Sequence, residues 1–366
     1  MPEFLQASIQ VLLGIGLLFG GGELFVQGSV AMAVIFGIPQ LVIGLTVVSL
    51  GTSAPELFVS LSSVLQGADA LAVSNVVGSN IFNVMVVLGS SALVLPLRVE
   101  SRLVRRDVPL MIAISAAVWG MASAGRVTWQ AGLALLLGLV INTVWEIRTA
   151  REEPDDSGSA EPDISDEANK GGLIPASVRL IAGISVLSIG SRVLVNGAVS
   201  AATLLGVSEA VIGLTIVSAG TSMPELITSL VAALRGRTDL AIGNVVGSCL
   251  LNLMLVLGAG AIAAAGSGLE VSPELIQDDL PIMLLTSLAC MPIFWTKGRI
   301  SRLEGGLLLG LYVLYLVDNV LPRTAMATWA DEFRLVMLCA VIPIVMIVIF
   351  TQAVFYWRDN QNSPTT

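Results

Sequence analysis

The residues with the greatest chemical capacity are Glu56 and Glu225, each closing the run Gly-Thr-Ser-x-Pro-Glu, at 51–56 and again at 220–225. Each run leads into a second oxygen-bearing group: Asn75, Ser79 and Asn83 in the first copy, Asn244, Ser248 and Asn252 in the second. Aligned without a gap, 51–89 and 220–258 agree at 22 of 39 positions, with Gly, Ser, Thr, Pro, Glu and Asn prominent among the matches. Bilayer packing does not demand those residues, and two copies at a fixed offset point to a duplicated half and one shared site.

On a helix, Ser49, Thr52, Ser53, Glu56, Ser60 and Ser63 recur at steps of three and four and form one polar stripe; Ser218, Thr221, Ser222, Glu225 and Ser229 repeat it. Pro55 and Pro224 offer no N–H to the carbonyls of Gly51 and Gly220. The helix is therefore expected to break just before each glutamate and to aim the freed carbonyls at the same place as the side chains. The inventory is two carboxylates, two carboxamides, six hydroxyls and several carbonyls, with no nitrogen or sulfur ligand. Hard cations take such a set: Ca²⁺ accepts roughly 6–8 oxygens in adaptable geometry, whereas Mg²⁺ retains its waters and transition metals favour His or Cys. Two glutamates balance one divalent ion. Left ionised and unpaired at membrane depth they would cost several kcal/mol, a physical reason for exchanging one cation for another. For Ser60, Ser63 or Ser229 alone, simple packing explains the residue; for Glu56 and Glu225 it does not.

The elements that must hold this chemistry are transmembrane. The 366 residues are 55% hydrophobic and 12% charged, and apolar runs long enough to cross a bilayer recur throughout, marking an all-α polytopic membrane protein. Eleven are expected, at 4–34, 39–66, 70–95, 102–123, 127–148, 173–204, 208–234, 238–265, 276–295, 300–320 and 332–356. The net charge of −9 mostly reflects one acidic segment from Glu152 to Glu167. Cys249, Cys290 and Cys339 all fall inside expected spans, so they indicate no disulfide framework. The chain has no histidine, which excludes Ser-His catalysis and a His-rich metal site, and no Lys or Arg precedes Arg98, so the first span lacks the basic flank of a secretory signal.

Basic residues cluster at Arg98–Arg106, Arg148–Arg179, Arg235 and Arg237, Lys297–Arg302 and Arg358. With an external N-terminus, every cluster is cytoplasmic. Each half then holds an odd number of spans and the second copy enters the membrane inverted. The expected organisation is a first five-helix repeat over 1–149, an acidic and disordered cytoplasmic linker over 150–172, a second repeat over 173–323, and an additional helix over 331–357 packed outside the core. Small residues in the first span (Gly14, Gly16, Gly20, Gly21, Gly22) permit close approach, serving either sliding or tight static packing. Glu23 and Arg192 occupy equivalent positions, and a mutual contact is one way to satisfy them.

Gly-Thr-Ser-x-Pro-Glu at 51–56 and 220–225, with Gly-Ser-Asn-Ile-Phe-Asn at 78–83 and Gly-Ser-Cys-Leu-Leu-Asn at 247–252, resembles the alpha repeats of the sodium/calcium exchanger family, of prokaryotic type, within the calcium/cation antiporter superfamily. The resemblance covers roughly residues 1–320. It implies a ten-helix core of two inverted five-helix halves, in which the first and sixth helices slide to alternate access. It further implies Glu56 and Glu225 as central Ca²⁺/Na⁺ ligands, joined by Thr52, Ser53, Ser79 and Asn83 and by Thr221, Ser222, Ser248 and Asn252, with backbone carbonyls near Ser49 and Ser218 assisting. Gly243-Asn244 is assigned to the scaffold. Some relatives carry Asp at the position of Asn252, which bears on potassium cotransport and stoichiometry, and Cys249 stands where the first copy has Asn80. The resulting expectation is a monomeric Na⁺/Ca²⁺ antiporter of the plasma membrane, with lipid and the two ions as partners and no resident cofactor. Ca²⁺/H⁺ antiport is the close alternative; a passive cation channel and an intramembrane enzyme are remoter ones.

Overall fold

The computed structural model describes residues 2–152, 172–207, 212, 215, 216, 218–264, 266, 268–295, 298–323, 327–341, 343, 345, 347 and 351. The chain is nearly all helix. Two long helices, α1 (Pro2–Phe36) and α9 (Leu173–Leu204), head the two halves. In the first half follow α2 (Gln40–Ile43), α3 (Ser49–Thr52), α4 (Ala54–Leu65), α5 (Asp69–Phe82), α6 (Gly89–Val94), α7 (Val108–Ala122) and α8 (Trp129–Glu152). In the second follow α10 (Ser218–Thr221), α11 (Met223–Leu234), α12 (Thr238–Leu251), α13 (Leu257–Ala263), α14 (Leu280–Trp295) and α15 (Arg302–Val320). A further short helix, α16 (Ala330–Val336), comes after these. Among the described residues seven helices are long and apolar enough to cross a membrane, and the bent pair Gln40–Thr52 and Ala54–Leu65 supplies an eighth. The span expected over 102–123 is present as α7 preceded by a π-helical turn, Leu103–Asp107. Those expected over 208–234 and 332–356 lie partly outside the described residues, as does most of the acidic segment 150–172.

The duplication reaches into local backbone geometry. Asn83–Leu88 and Asn252–Val256 are both π-helical, as are Leu103–Asp107 and Leu275–Asp279, so matched sequence gives matched departures from α geometry. Four short strands then show how the halves are set against each other. β1 (Leu97–Arg98) and β3 (Leu269–Glu270) are equivalent, as are β2 (Arg126–Val127) and β4 (Arg299–Ile300), yet β1 pairs antiparallel with β4 and β2 with β3. Because α7 separates β1 from β2 and α14 separates β3 from β4, equivalent strands lie at opposite ends of the packed helices. The second half is inverted relative to the first.

The core is built on α5 and α12, with their π continuations. Every residue of α12 except Asp239 is buried, and Gly243 and Gly247 let α2, α3 and the turn between them cross at backbone distance: a Cβ at Gly243 would meet Leu41 O at 2.6 Å, and one at Gly247 Leu45 O at 2.6 Å. Few residues of helices α8 and α15 are buried, as suits helices at the periphery of the bundle. Arg102 and Arg106 converge on buried Glu146, and the Arg106 guanidinium lies 4.3 Å over the Trp145 ring, tying the entry of α7 to α8.

Helices α1 and α9 run antiparallel in contact along their length. Gly14, Gly21 and Gly28 face Leu194, Leu187 and Leu180, while Gly183, Gly190 and Gly197 face Phe25, Leu17 and Gln10. Both glycine series repeat every seven residues, the spacing that keeps one face toward a partner helix. Glu23 does not meet Arg192: its carboxylate bonds Arg235, at the end of α11, at 2.5 Å, and Arg192 is exposed. The antiparallel register sets the two roughly a heptad apart, too far for contact. Gly183→Val, whose Cβ would lie 2.6 Å from Phe25 N, is expected to destabilise by about 1–3 kcal/mol. Thermal unfolding of purified protein should show this loss, and no comparable loss for Gly16→Val, where a Cβ meets nothing within 4 Å.

Candidate cation site

Both broken helices kink at the serine of the motif. Ser53 (φ −81°, ψ 5°) and Ser222 (φ −89°, ψ 9°) interrupt the helix, which resumes at Ala54 and Met223 with Pro55 and Pro224 in the first turn. The bend in the first copy is 45°. The break lies three residues before each glutamate rather than immediately before it, because proline fits a helix's first turn, where no N–H is needed. Glu56 and Glu225 therefore stand in first turns, where the helix dipole favours a carboxylate, while the carbonyl ends of the preceding segments favour a cation.

The two carboxylates are fully buried and each is held by the other copy's serine. Ser53 donates to Glu225 Oε1 at 3.0 Å and Ser222 to Glu56 Oε1 at 2.8 Å. Around this exchange, Ser222 Oγ lies 3.0 Å from Ser79 Oγ, and Thr52 Oγ1 lies 3.4 Å from Ser248 Oγ and 3.1 Å from Asn244 Oδ1. Thr221 donates to Asn75 Oδ1 at 3.3 Å. Eight of the residues expected from sequence thus fall into two matched hydrogen-bonded groups, Glu56, Ser79, Thr221 and Ser222 with Asn75 in one and Thr52, Ser53, Glu225 and Ser248 with Asn244 in the other. Asn83 and Asn252 sit one turn beyond Ser79 and Ser248 on the same helices, fully buried, at the first residue of each π segment. The Ser49 carbonyl accepts from Ser53 N at 2.9 Å and lies 3.3 Å from Thr52 Oγ1, at the carbonyl end of the segment before the break. Ser218 opens α10, beside the second break.

The atoms left over define what the centre suits. Glu56 Oε2, Glu225 Oε2 and the carboxamide oxygens of Asn83 and Asn252 are buried without a hydrogen-bond partner. Such orphans are costly in a folded protein unless a ligand satisfies them. A hard cation fits four anionic or neutral oxygens; among the described residues no group of three or more His, Cys, Asp or Glu offers a softer or more acidic site.

The sequence assigned Asn244 to scaffold, and its contacts give that word content. Its Nδ2 lies 3.3 Å from the Glu225 carbonyl and 2.9 Å from Ser229 Oγ; Asn75 does the same with the Glu56 carbonyl at 3.3 Å and Ser60 Oγ at 3.0 Å. One carboxamide per copy clamps the restarted helix and presents its oxygen to the opposite threonine. Their recurrence at the same offset was the available signal. Asn244→Ala is expected to destabilise the cation-free protein by about 1–3 kcal/mol, since it strands buried partners. Asn252→Ala should cost less, as its carboxamide has no protein partner; equal losses in thermal unfolding would contradict the clamp.

The family model described as sodium/calcium exchanger protein matches residues 7–148 and again 176–320. The putative antiporter CaxA of Alkalimonas amylolytica is 35% identical across 85% of this chain and 98% of its own length. The sodium/calcium exchanger MaX1 of Methanosarcina acetivorans is 31% identical across 84% and 96%. A solved structure of the sodium-calcium exchanger NCX_Mj, soaked with Na⁺ and no Ca²⁺, superposes with a TM-score of 0.72 at 29% identity, covering 86% of this chain and 98% of that one. Two family matches on one chain, inverted halves and a shared carboxylate pair agree: this integral membrane protein belongs to the sodium/calcium exchanger family.

Proposed function

We propose that the chain exchanges Na⁺ for Ca²⁺ by alternating access to the Glu56–Glu225 centre. The observation that carries this reading is the pair of buried, unpartnered carboxylate oxygens, one from each copy, beside the unpartnered carboxamides of Asn83 and Asn252. Together they supply the charge of one divalent ion and oxygens for its shell. Thr52, Ser53, Ser79, Thr221, Ser222 and Ser248 complete the shell or hold the carboxylates in place, with the Ser49 and Ser218 carbonyls serving Na⁺. When Ca²⁺ departs, Na⁺ takes over the balancing of two carboxylates that cannot remain bare in a low-dielectric interior. The empty site is thereby prevented from reorienting, which makes the exchange obligatory.

In this reading two five-helix repeats, 1–149 and 173–323, flank the cytoplasmic linker 150–172, and the helix at 331–357 lies outside a monomeric core. The N-terminus is external, as the Lys and Arg distribution requires. The membrane is the cell's inner or plasma membrane, across which a net charge moved down about 100 mV releases about 2.3 kcal/mol.

Proteoliposomes containing the purified chain should accumulate Ca²⁺ under an imposed Na⁺ gradient and not under a pH gradient alone. Uptake driven only by the pH gradient would make the coupling ion H⁺, and equilibration without any gradient would make the protein a channel. Glu56→Gln and Glu225→Gln should each lower Na⁺-driven flux at least about a hundredfold while leaving membrane insertion intact, the loss expected when a buried charged ligand is neutralised. Wild-type flux in both variants would remove the carboxylates from the mechanism.

A further inference from the structure

The α1–α9 pair covers both helix breaks. A Cβ added at Gly51 would meet Ile184 of α9 at 2.7 Å and Phe25 of α1 at 3.1 Å; one at Gly220 would meet Val195 of α9 at 2.3 Å. Opening the buried centre to either face therefore requires this pair to move relative to the breaks. Against that background the two breaks differ in one respect. Pro224 leaves the Gly220 carbonyl without its helical donor, and Ser191 of α9, itself buried, donates to that carbonyl at 2.5 Å. Pro55 frees the Gly51 carbonyl in the same way, but the residue of α1 equivalent to Ser191 is Gly22, which has no hydroxyl. Gly22 instead packs toward Ile227 and Val231 of α11.

A second tie runs to the same half. Glu23, next to Gly22, bonds Arg235 at the far end of α11, at 2.5 and 3.1 Å. The covering pair is thus fastened to the second copy's broken helix at Gly220 and at Arg235, and the first copy has a glycine where the buried fastening would be.

We propose that Ser191 is a positioning residue that latches the α1–α9 pair to the Gly220 carbonyl and so biases the exchanger toward one of its two access states. The proposal rests on the alternating exchange argued above. Moving the pair breaks the Ser191 bond and strands a buried carbonyl, a cost absent at Gly51. The latch therefore stabilises the present arrangement over its inverted counterpart. Linkage fixes the signature: shifting the balance between access states changes the apparent affinity at the two membrane faces in opposite directions.

The test compares half-saturating Ca²⁺ for Na⁺-coupled exchange at the external and cytoplasmic faces, in oriented proteoliposomes, for wild type, Ser191→Ala and Ser191→Thr. Ser191→Ala should shift the ratio of the two values by about threefold or more, one rising and the other falling, as loss of a single buried hydrogen bond predicts. Ser191→Thr, which keeps the hydroxyl, should hold the wild-type ratio. An unchanged ratio in Ser191→Ala overturns the latch, as do two values moving together by one factor, which is what a merely structural defect gives. Loss of flux in inserted Ser191→Ala also overturns it, because a bias between states is dispensable for transport. Absence of exchange in the wild type would instead overturn the underlying reading, a different result from an unaltered ratio.

Discussion

Two carboxylates share one buried centre, and neither is satisfied by its own half of the chain. Ser53 reaches from the first copy to Glu225, and Ser222 from the second to Glu56. Placing two acidic groups together away from water is unfavourable by several kcal/mol per ion unless they are hydrogen-bonded and neutralised. The reciprocal serines supply part of the hydrogen bonding, and the remaining carboxylate oxygens have no hydrogen-bond partner. Everything around the centre serves that arrangement. The breaks at Ser53 and Ser222 turn the carboxylates inward, Asn75 and Asn244 clamp the restarted helices, and the small residues of α12 bring the first copy's broken helix within backbone contact.

Inversion makes this reciprocity possible. If the two copies ran the same way, equivalent breaks would present the same polarity to the centre. With the copies inverted, each half-helix meets its counterpart across a two-fold relation, and the cross-pairing of β1 with β4 and β2 with β3 pins the ends of the same arrangement. Symmetry in the centre is nevertheless accompanied by asymmetry in its cover. The α1–α9 pair has near-symmetric glycine seams, yet its polar ties, Ser191 to Gly220 and Glu23 to Arg235, both go to the second copy. For the alternating exchange proposed above, such small differences would set a preference between access states, since about 1.4 kcal/mol is a tenfold change in population.

Much of the centre was legible because polar residues in a hydrophobic chain are expensive and repetition is conspicuous. Glu56, Glu225 and the Thr-Ser pairs before them stand out against Leu and Val, and the structure brings them together. The exact site of the break was less legible. Missing N–H groups at Pro55 and Pro224 located it to within a turn, but which residue leaves helical geometry depends on proline's tolerance in a first turn. The glycine seams at 14, 21, 28 and at 183, 190, 197 were written in the chain as a period of seven; amid many other glycines, only the facing helix distinguishes the seam from the rest.

What the sequence by itself determined was the chemistry and its duplication: oxygen-bearing side chains, two carboxylates, two breaks, and a membrane setting fixed by composition. These are local properties, carried by residue type and spacing. What only the tertiary structure decided was which atoms face which. Glu23 meets Arg235 rather than Arg192, Ser191 caps Gly220 while Gly51 receives no equivalent hydroxyl, and each serine serves the other copy's glutamate. Such pairings depend on the register of helices far apart in the chain, and register comes from packing the whole buried surface at once, which no short window of residues contains.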